Sequence, residues 1–323
     1  MNNTFTKIGI IGLGAITKYY LSSILNVKNK IELVALCDID SKKLTRFKTQ
    51  CQYTTTSLDE ILSLDSIDAV IINLPNDLHY EACRKAILAG KHVCCEKPLA
   101  LLPTQADELE KLAKQNHILL YTAFHRRHNV HVKKLNHIIN NLKNIKQIRV
   151  RYFEKIEDHC GDNAWYLNPQ RCGGGVIADN GPNVVDLVNY LIGDFKVTQS
   201  LIAYTQPDID TKAIILGETN DNLQITMQLD WEYQHGECKD IIIICEDGTS
   251  HSVNMLDGFQ EFKSSLFHEY AEILDEFVSL IDANDKIQRS ITNHHGTKIV
   301  HLINHIYQMG SNVSEEAIYE YFK

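Results

Sequence analysis

Four largely apolar runs in the first hundred residues constrain this chain more than any other feature: KIGIIGL (7–13), IELVALC (31–37), AVIINL (69–74) and HVCC (92–95). Runs of this length without polar alternation suit strands covered on both faces, as in a parallel sheet. Helical patterns separate them. One carries Ile16, Tyr20, Ile24 and Leu25, a second starts at a capping Ser41, and a third spans His79 to Ala89 and is stopped by Gly90. Strand alternating with helix predicts right-handed crossover units. A short strand at 51–55, a small helix at 57–64, a helix at 104–116 and a strand at 118–124 complete a six-stranded sheet. The first boundary falls between Thr122 and Arg127.

After that boundary the pattern changes. Val130 to Leu142 is helical, but 145–153, 197–204, 213–218, 223–231 and 240–245 read as strands separated by turn residues. Strands that follow strands pair antiparallel more often than not. The expected fold class is therefore an α/β doubly wound parallel domain over 1–124, followed by an α+β domain over 125–323 with an open, mainly antiparallel sheet. The tail is helical over 266–281 and 297–308, and the helices of 297–310 are candidates to pack back on the first domain. The outer face of the second sheet is a candidate surface for a homodimer or homotetramer.

The turn after the first strand, Gly12-Leu13-Gly14-Ala15-Ile16-Thr17, is glycine-rich and opens a helix. Backbone N–H groups and a helix amino terminus there can approach a pyrophosphate. Thr17 stands where a third Gly or Ala completes the usual fingerprint, which would set the helix slightly farther from the strand. Asp38 ends the second strand 21 positions beyond Thr17, close to the ~20 expected for a carboxylate that accepts from a ribose hydroxyl. That carboxylate repels a 2′-phosphate and favours NAD over NADP, with Lys42 and Lys43 as the opposing feature.

Lys97 is the candidate for chemistry. KHVCCEKPL (91–99) reads as a buried strand with Glu96-Lys97-Pro98 at its carboxyl end, where crevices of open α/β sheets lie. Oxidising a secondary alcohol needs a base for the hydroxyl proton, and reducing a carbonyl needs that proton returned. An ordinary lysine, near pKa ~10.4, is a poor base at neutral pH, so a functional one should titrate lower. The competing reading is a surface lysine paired with Glu96.

In order along the chain, IGLGAIT, CDID, LPNDLHYEACRKAILAGKHVCCEKPLAL and GGGVIADNGPNVVDLVNYLIGD resemble the successive signatures of the Gfo/Idh/MocA oxidoreductases, over nearly the whole length. AGKHVCCEKPLAL is the most specific of them. The resemblance implies a Rossmann domain, an open-sheet domain and NAD(P)-linked hydride transfer to or from a sugar, cyclitol or related polyol. It also implies cofactor contacts from Gly12, Gly14, Ala15, Ile16, Asp38, Pro75, Asn76, His79, Glu96 and Lys97, with Lys97 beside the nicotinamide and a Lys97-Pro98 bond that can be cis. In the family pattern D-x-G-x-H-x-x-D, an aspartate and a histidine meet the substrate. This chain has Asp179 and Asp186 but carries Asn183 at the histidine position, so catalytic roles fall to Lys97, Asp179 and Asn183. Asparagine hydrogen-bonds a hydroxyl but exchanges no proton. Asp179, Asn183, Asp186 and Tyr190 share one face if helical, and Pro182 places Asp179 just ahead of that helix or across a kink.

Arg127, in a segment FHRRHN that resembles the family's stretch after the last Rossmann strand, and Trp165 are further candidates to touch substrate. His125, His128 and His131 are badly spaced for one metal ion, and none is expected. His294-His295-Gly296 reads as a cap of the tail helix.

A formal charge of −9 offers no basic field for nucleic acid or an anionic membrane. The longest apolar runs fall far short of the ~18 residues that span a bilayer. Nine cysteines with no CxxC pair, and an amino terminus without a leader pattern, point to reduced thiols in a cytoplasm. Three functions remain open: a polyol dehydrogenase or reductase, a dinucleotide-bound sensor or corepressor, and a glycosidase using transient oxidation by NAD.

Overall fold

The structure is a computed structural model that describes residues 5–26, 31–160, 164–206, 208–283 and 285–322. The first four residues, on which the leader reading bears, and the Leu25 side chain lie outside the described part. The chain divides into two compact units: one is the chain up to Phe124 with Leu266–Val300, the other His125–Ser265 with His301 onward.

The first unit alternates β1 (Thr6–Ile11), α1 (Thr17–Asn26), β2 (Ile31–Cys37), α2 (Ser41–Phe47), β3 (Tyr53–Thr55), α3 (Leu58–Leu62), β4 (Ala69–Ile72), α4 (His79–Leu88), β5 (His92–Glu96), α5 (Pro103–Gln115) and β6 (Leu120–Ala123). All six strands are parallel, in the order β3-β2-β1-β4-β5-β6. The apolar runs are buried because both sheet faces are covered: Ile72, Val93 and Cys95 pack with Leu99, Leu109 and Ala113 in one core. The cap of α2 is Asp40 and not Ser41, since the Asp40 carboxylate accepts from the Lys42 N–H and Ser41 has already entered the helix.

The second unit holds α6 (Val130–Ile139), β7 (Ile145–Phe153), α7 (Glu157–Cys160), α8 (Pro169–Cys172), α9 (Val176–Asp179), α10 (Gly181–Ile192), β8 (Lys196–Gln206), β9 (Ile209–Glu218), β10 (Gln224–Asp230), β11 (Cys238–Cys245) and β12 (Ser250–Asn254). The helices α11 (Phe262–Ala283) and α12 (Lys286–Gln308) contain the unit boundaries, and β13 (Gly310–Asn312) and α13 (Glu315–Phe322) follow. Its seven-stranded sheet runs β12-β11-β7-β10-β9-β8-β13. Pairing is mainly antiparallel, but β7–β10 and β8–β13 are parallel. On one face of this sheet, Ile318 of α13 packs with Leu201, Ala203 and Ile214.

Two expectations about the tail change. A second domain running unbroken over 125–323 does not describe the chain, because 266–300 belongs to the first unit. There Tyr270 packs edge-on to Tyr20, Phe277 meets Tyr121, and the Asn293 amide bridges the Leu120 N–H and the Ile118 carbonyl. His294-His295-Gly296 lies inside α12, which runs on from Lys286 to Gln308, and caps nothing. No described helix is long and apolar enough to cross a membrane.

Candidate active site

In the first unit the site begins where β1 ends. Gly12 has φ +92°, and a Cβ there would sit 2.6 Å from the Asn73 carbonyl oxygen, so a side chain would part the turn from the end of β4. Thr17 does more than fill the third fingerprint position: its buried hydroxyl donates to the Gly12 carbonyl at 2.8 Å and accepts from the Asn73 amide at 3.3 Å. The threonine ties helix to turn. Gly14 and Ala15 are exposed, ahead of the first turn of α1.

Asp38 is buried and clamps β2 to the same turn. Its Oδ2 accepts from the Leu13 N–H at 2.7 Å and its Oδ1 from the Asp40 N–H at 2.8 Å, with Lys43 Nζ 3.4 Å from Oδ2. Oδ1, with one donor, retains a lone pair for a ribose hydroxyl. Asn73, absent from the residues singled out in the sequence, places a buried Oδ1 with no hydrogen-bond partner at the carboxyl end of β4. Being the first polar residue after AVII was its only signal. An open glycine cradle, an anchored carboxylate and an orphaned acceptor are what a dinucleotide could use, so the residues present fit one.

Lys97 follows β5 directly, is half-buried, and its bond to Pro98 is cis. Two neighbours expected to touch a cofactor do other work. His79 is 0% exposed, with Nδ1 2.7 Å from the Pro98 carbonyl and Nε2 2.8 Å from the Leu74 carbonyl, so it links the loops after β4 and β5. Burial lowers its pKa. Glu96 is 7% exposed and accepts a 2.8 Å hydrogen bond from the Tyr20 hydroxyl. Both side chains are committed to the protein. Pro75 and Asn76 lie on the loop after β4, with Asn76 buried.

In the second unit, Asp179 ends α9 and Asn183 lies in the first turn of α10, with Asn180 at the break that Pro182 anticipates. The Asn180 amide donates to Glu154 at 2.9 Å, which anchors that break to the end of β7. Glu154 also takes Lys239 at 2.7 Å, and Lys239 pairs with Glu237. His159 Nε2 lies 3.4 Å from Glu237 and 3.9 Å from Glu154. Among the described residues Glu154, His159 and Glu237 are the group able to gather a metal, but the Lys239 ammonium already bonds to both carboxylates and occupies the place of a cation. His125, His128 and His131 form no such group there, and His131 contacts the Asp257 carbonyl.

Gly174 and Gly175, before α9, are explained by residues far along the chain. A Cβ on Gly175 would strike the backbone of Asp210. The Asp210 carboxylate accepts from the Gly175 and Ile177 N–H groups, each at 2.7 Å, and from the Tyr307 hydroxyl at 2.8 Å. Asp210 thereby seats the helix that ends in Asp179. Asn183 is 2% exposed and its Oδ1 has no hydrogen-bond partner. Arg127, expected to reach substrate, grips the fully buried Asp186 with two guanidinium nitrogens, its Nε at 3.1 Å, and lies over the Tyr190 ring. Trp165 stacks on Tyr166 with centroids 3.9 Å apart.

Comparison with known proteins decides the family. Residues 6–124 match the sequence profile of the oxidoreductase family with an NAD-binding Rossmann fold, and residues 140–251 match the GFO/IDH/MocA C-terminal domain. The chain belongs to the Gfo/Idh/MocA family. Within that family it is similar to a glucose-6-phosphate 3-dehydrogenase of Bacillus subtilis, with 29% identity over 64% of this chain and 59% of the relative. The match thus spans about six-tenths of that relative's length. Its fold resembles the crystal structure of GenD2 from gentamicin A biosynthesis in complex with NAD (TM-score 0.83, 17% identity, 96% of this chain and 95% of the other). It also resembles KijD10, a 3-ketoreductase from Actinomadura kijaniata in complex with NADP and TDP-benzene (TM-score 0.80, 16% identity, 96% and 99%). Solved structures of this fold thus occur with either dinucleotide.

Proposed function

We propose that this chain is an NAD(P)-dependent oxidoreductase that moves a hydride between nicotinamide and a CH–OH carbon of a sugar, cyclitol or related polyol. The observation that carries the reading is Lys97 at the carboxyl end of β5, in a parallel sheet whose glycine turn and Asp38 are built to receive a dinucleotide. The nicotinamide, when bound, takes up or supplies the hydride. Lys97 handles the proton: as the neutral amine it accepts the hydroxyl proton when the alcohol is oxidised, and as the ammonium it returns that proton when the carbonyl is reduced. Asp179 and Asn183 are assigned to substrate hydroxyls, Asn183 as a hydrogen-bonding group only, which leaves Lys97 the proton carrier. Trp165 offers an apolar ring face to a sugar.

Asp38 supports NAD over NADP, because its carboxylate would face a 2′-phosphate. For self-association through the second sheet we favour the part that α13 leaves open, where Ile242 and Ile244 on β11 are only half-buried, and we place the protein in the cytoplasm. The sensor and glycosidase readings gain nothing from the relatives, which include dehydrogenases and reductases by name. Replacing Lys97 by Met should cut turnover by about 10²–10⁴-fold while NADH binding, read by fluorescence, persists. Near-normal turnover of Lys97→Met on a polyol and keto-sugar panel, run with NAD and NADP side by side, refutes the proposal.

A further inference from the structure

Glu96 has no part in the proton path above, yet it ends the strand that delivers Lys97. Three donors converge on its buried carboxyl group: the Tyr20 hydroxyl from α1, the Tyr270 hydroxyl from α11, and the backbone N–H of Lys97 itself. The two tyrosines brace each other edge-to-face with centroids 4.8 Å apart, and Tyr19 stacks on Tyr270 at 5.5 Å. The Tyr20 hydroxyl also lies 3.9 Å from Cys94 Sγ. An apolar residue would close a strand end at lower cost than a buried acid. The acid is surrounded by donors and aimed at the peptide of the proposed catalytic residue.

The titratable groups that interact with Glu96 include Tyr20, Cys94, Cys95, Tyr270 and Lys97. Burial pushes Tyr20 and Cys94 upward, so both stay neutral at ordinary pH. Burial raises Glu96 to about 7, against the lowering influence of Tyr20 and Lys97. As a carboxylate, Glu96 offers about four acceptor sites to its three donors. As a carboxylic acid it carries an O–H that needs an acceptor of its own, so a tyrosine must turn round or the Lys97 N–H must let go.

We propose that Glu96 is the positioning residue for Lys97: its carboxylate holds the lysine's peptide N–H, and taking up one proton from water loosens that hold. The inference rests on Lys97 being the acid/base. Ionised Glu96 is the working form, so turnover should fall as pH drops through its titration.

The test is Glu96→Gln, which imitates the protonated side chain and cannot ionise, beside Tyr20→Phe, which removes one donor and keeps the acid. In 15N-labelled protein without cofactor or substrate, the Lys97 amide resonance should move with a midpoint near 7. It should be insensitive to pH in Glu96→Gln and move at higher pH in Tyr20→Phe. With myo-inositol or methyl α-D-glucoside, whichever is oxidised faster, kcat of Glu96→Gln should lie about tenfold below the unmodified enzyme at pH 8 and lose the acid limb near 7. If Glu96→Gln does not fold, the shifted midpoint of Tyr20→Phe decides. A Lys97 amide that ignores pH in the unmodified protein, or an acid limb unchanged in both variants, overturns the proposal. Those results leave the Lys97 reading standing, whereas an active Lys97→Met removes that reading and leaves the amide titration of the unmodified protein as it was.

Discussion

Glu96 and Glu154 are the same residue at nearly the same burial, one ending β5 and the other just past β7, and they behave in opposite ways. Glu96 is met by two tyrosine hydroxyls and a peptide N–H, and burial carries it up to about 7. For Glu154 burial also pushes upward, but Lys239 at 2.7 Å, His159 and the Asn180 amide outweigh it and hold the acid at about 2. Lys239 is itself 0% exposed, with Nζ 3.9 Å from the centroid of the Phe262 ring. Hydrogen bonds from neutral donors only soften the cost of burying an acid, while a bonded cation reverses its sign. One unit therefore holds an acid that can change charge near neutrality, and the other a fixed ion network that pins the α9–α10 break.

The sharpest way to break the contrast is Lys239→Met. Removing the ammonium leaves Glu154 and Glu237 without their buried counter-charge, and should cost about 3–5 kcal/mol of stability at pH 7 by urea titration. A loss below about 1 kcal/mol would mean that Glu154 does not depend on the ion pair.

The next effect lies in the pH dependence of stability. Folding raises Glu96 above its ordinary value of 4.5, so its contribution is complete below about 4.5 and fades as pH rises through about 7. Glu154 is depressed, so its contribution is present above 4.5 and disappears only as pH falls towards 2. Glu96→Gln should therefore flatten the slope of stability between pH 4.5 and 7, by about 3 kcal/mol over the window. Stability of Glu154→Gln should part from the unmodified protein fully above pH 4.5 and converge with it only as pH falls towards 2. Equal slopes in Glu96→Gln and the unmodified protein would place Glu96 with Glu154.

The smallest effect is that of Tyr20→Phe, which deletes a single hydroxyl donor and should cost about 1–2 kcal/mol at pH 8, where Glu96 is ionised, and less at pH 5. A cost independent of pH would show that the hydroxyl does not serve the carboxylate.

Much of the first unit could be read directly. The runs 31–37 and 92–95 are strands because unbroken apolar stretches have no stable place except between two covered faces, and the glycine turn, Asp38 and Lys97 all sit at strand ends. The second unit was less legible at its edges. β12 alternates exposed and half-buried residues, and the three residues of β13 are all exposed, so neither shows a hydrophobic signal. Asp210 and Tyr307 explain Gly175 and Gly174 of the triple glycine, but nothing near either in the sequence points to it. His79 and Glu96 were visible as motif residues, and their commitment to the protein's own carbonyls and hydroxyls was not.

The sequence by itself determined the strand-helix alternation, the parallel sheet of the first unit and the placement of a lysine at the end of its fifth strand. Those follow from local periodicity, which needs no knowledge of what packs where. Only the tertiary structure decided which buried acid is neutralised and which can titrate, because that depends on groups such as Tyr270 and Lys239 brought from distant parts of the chain to within a hydrogen bond. Electrostatic free energy falls off over a few ångströms of protein, and the linear spacing of residues carries no record of those distances.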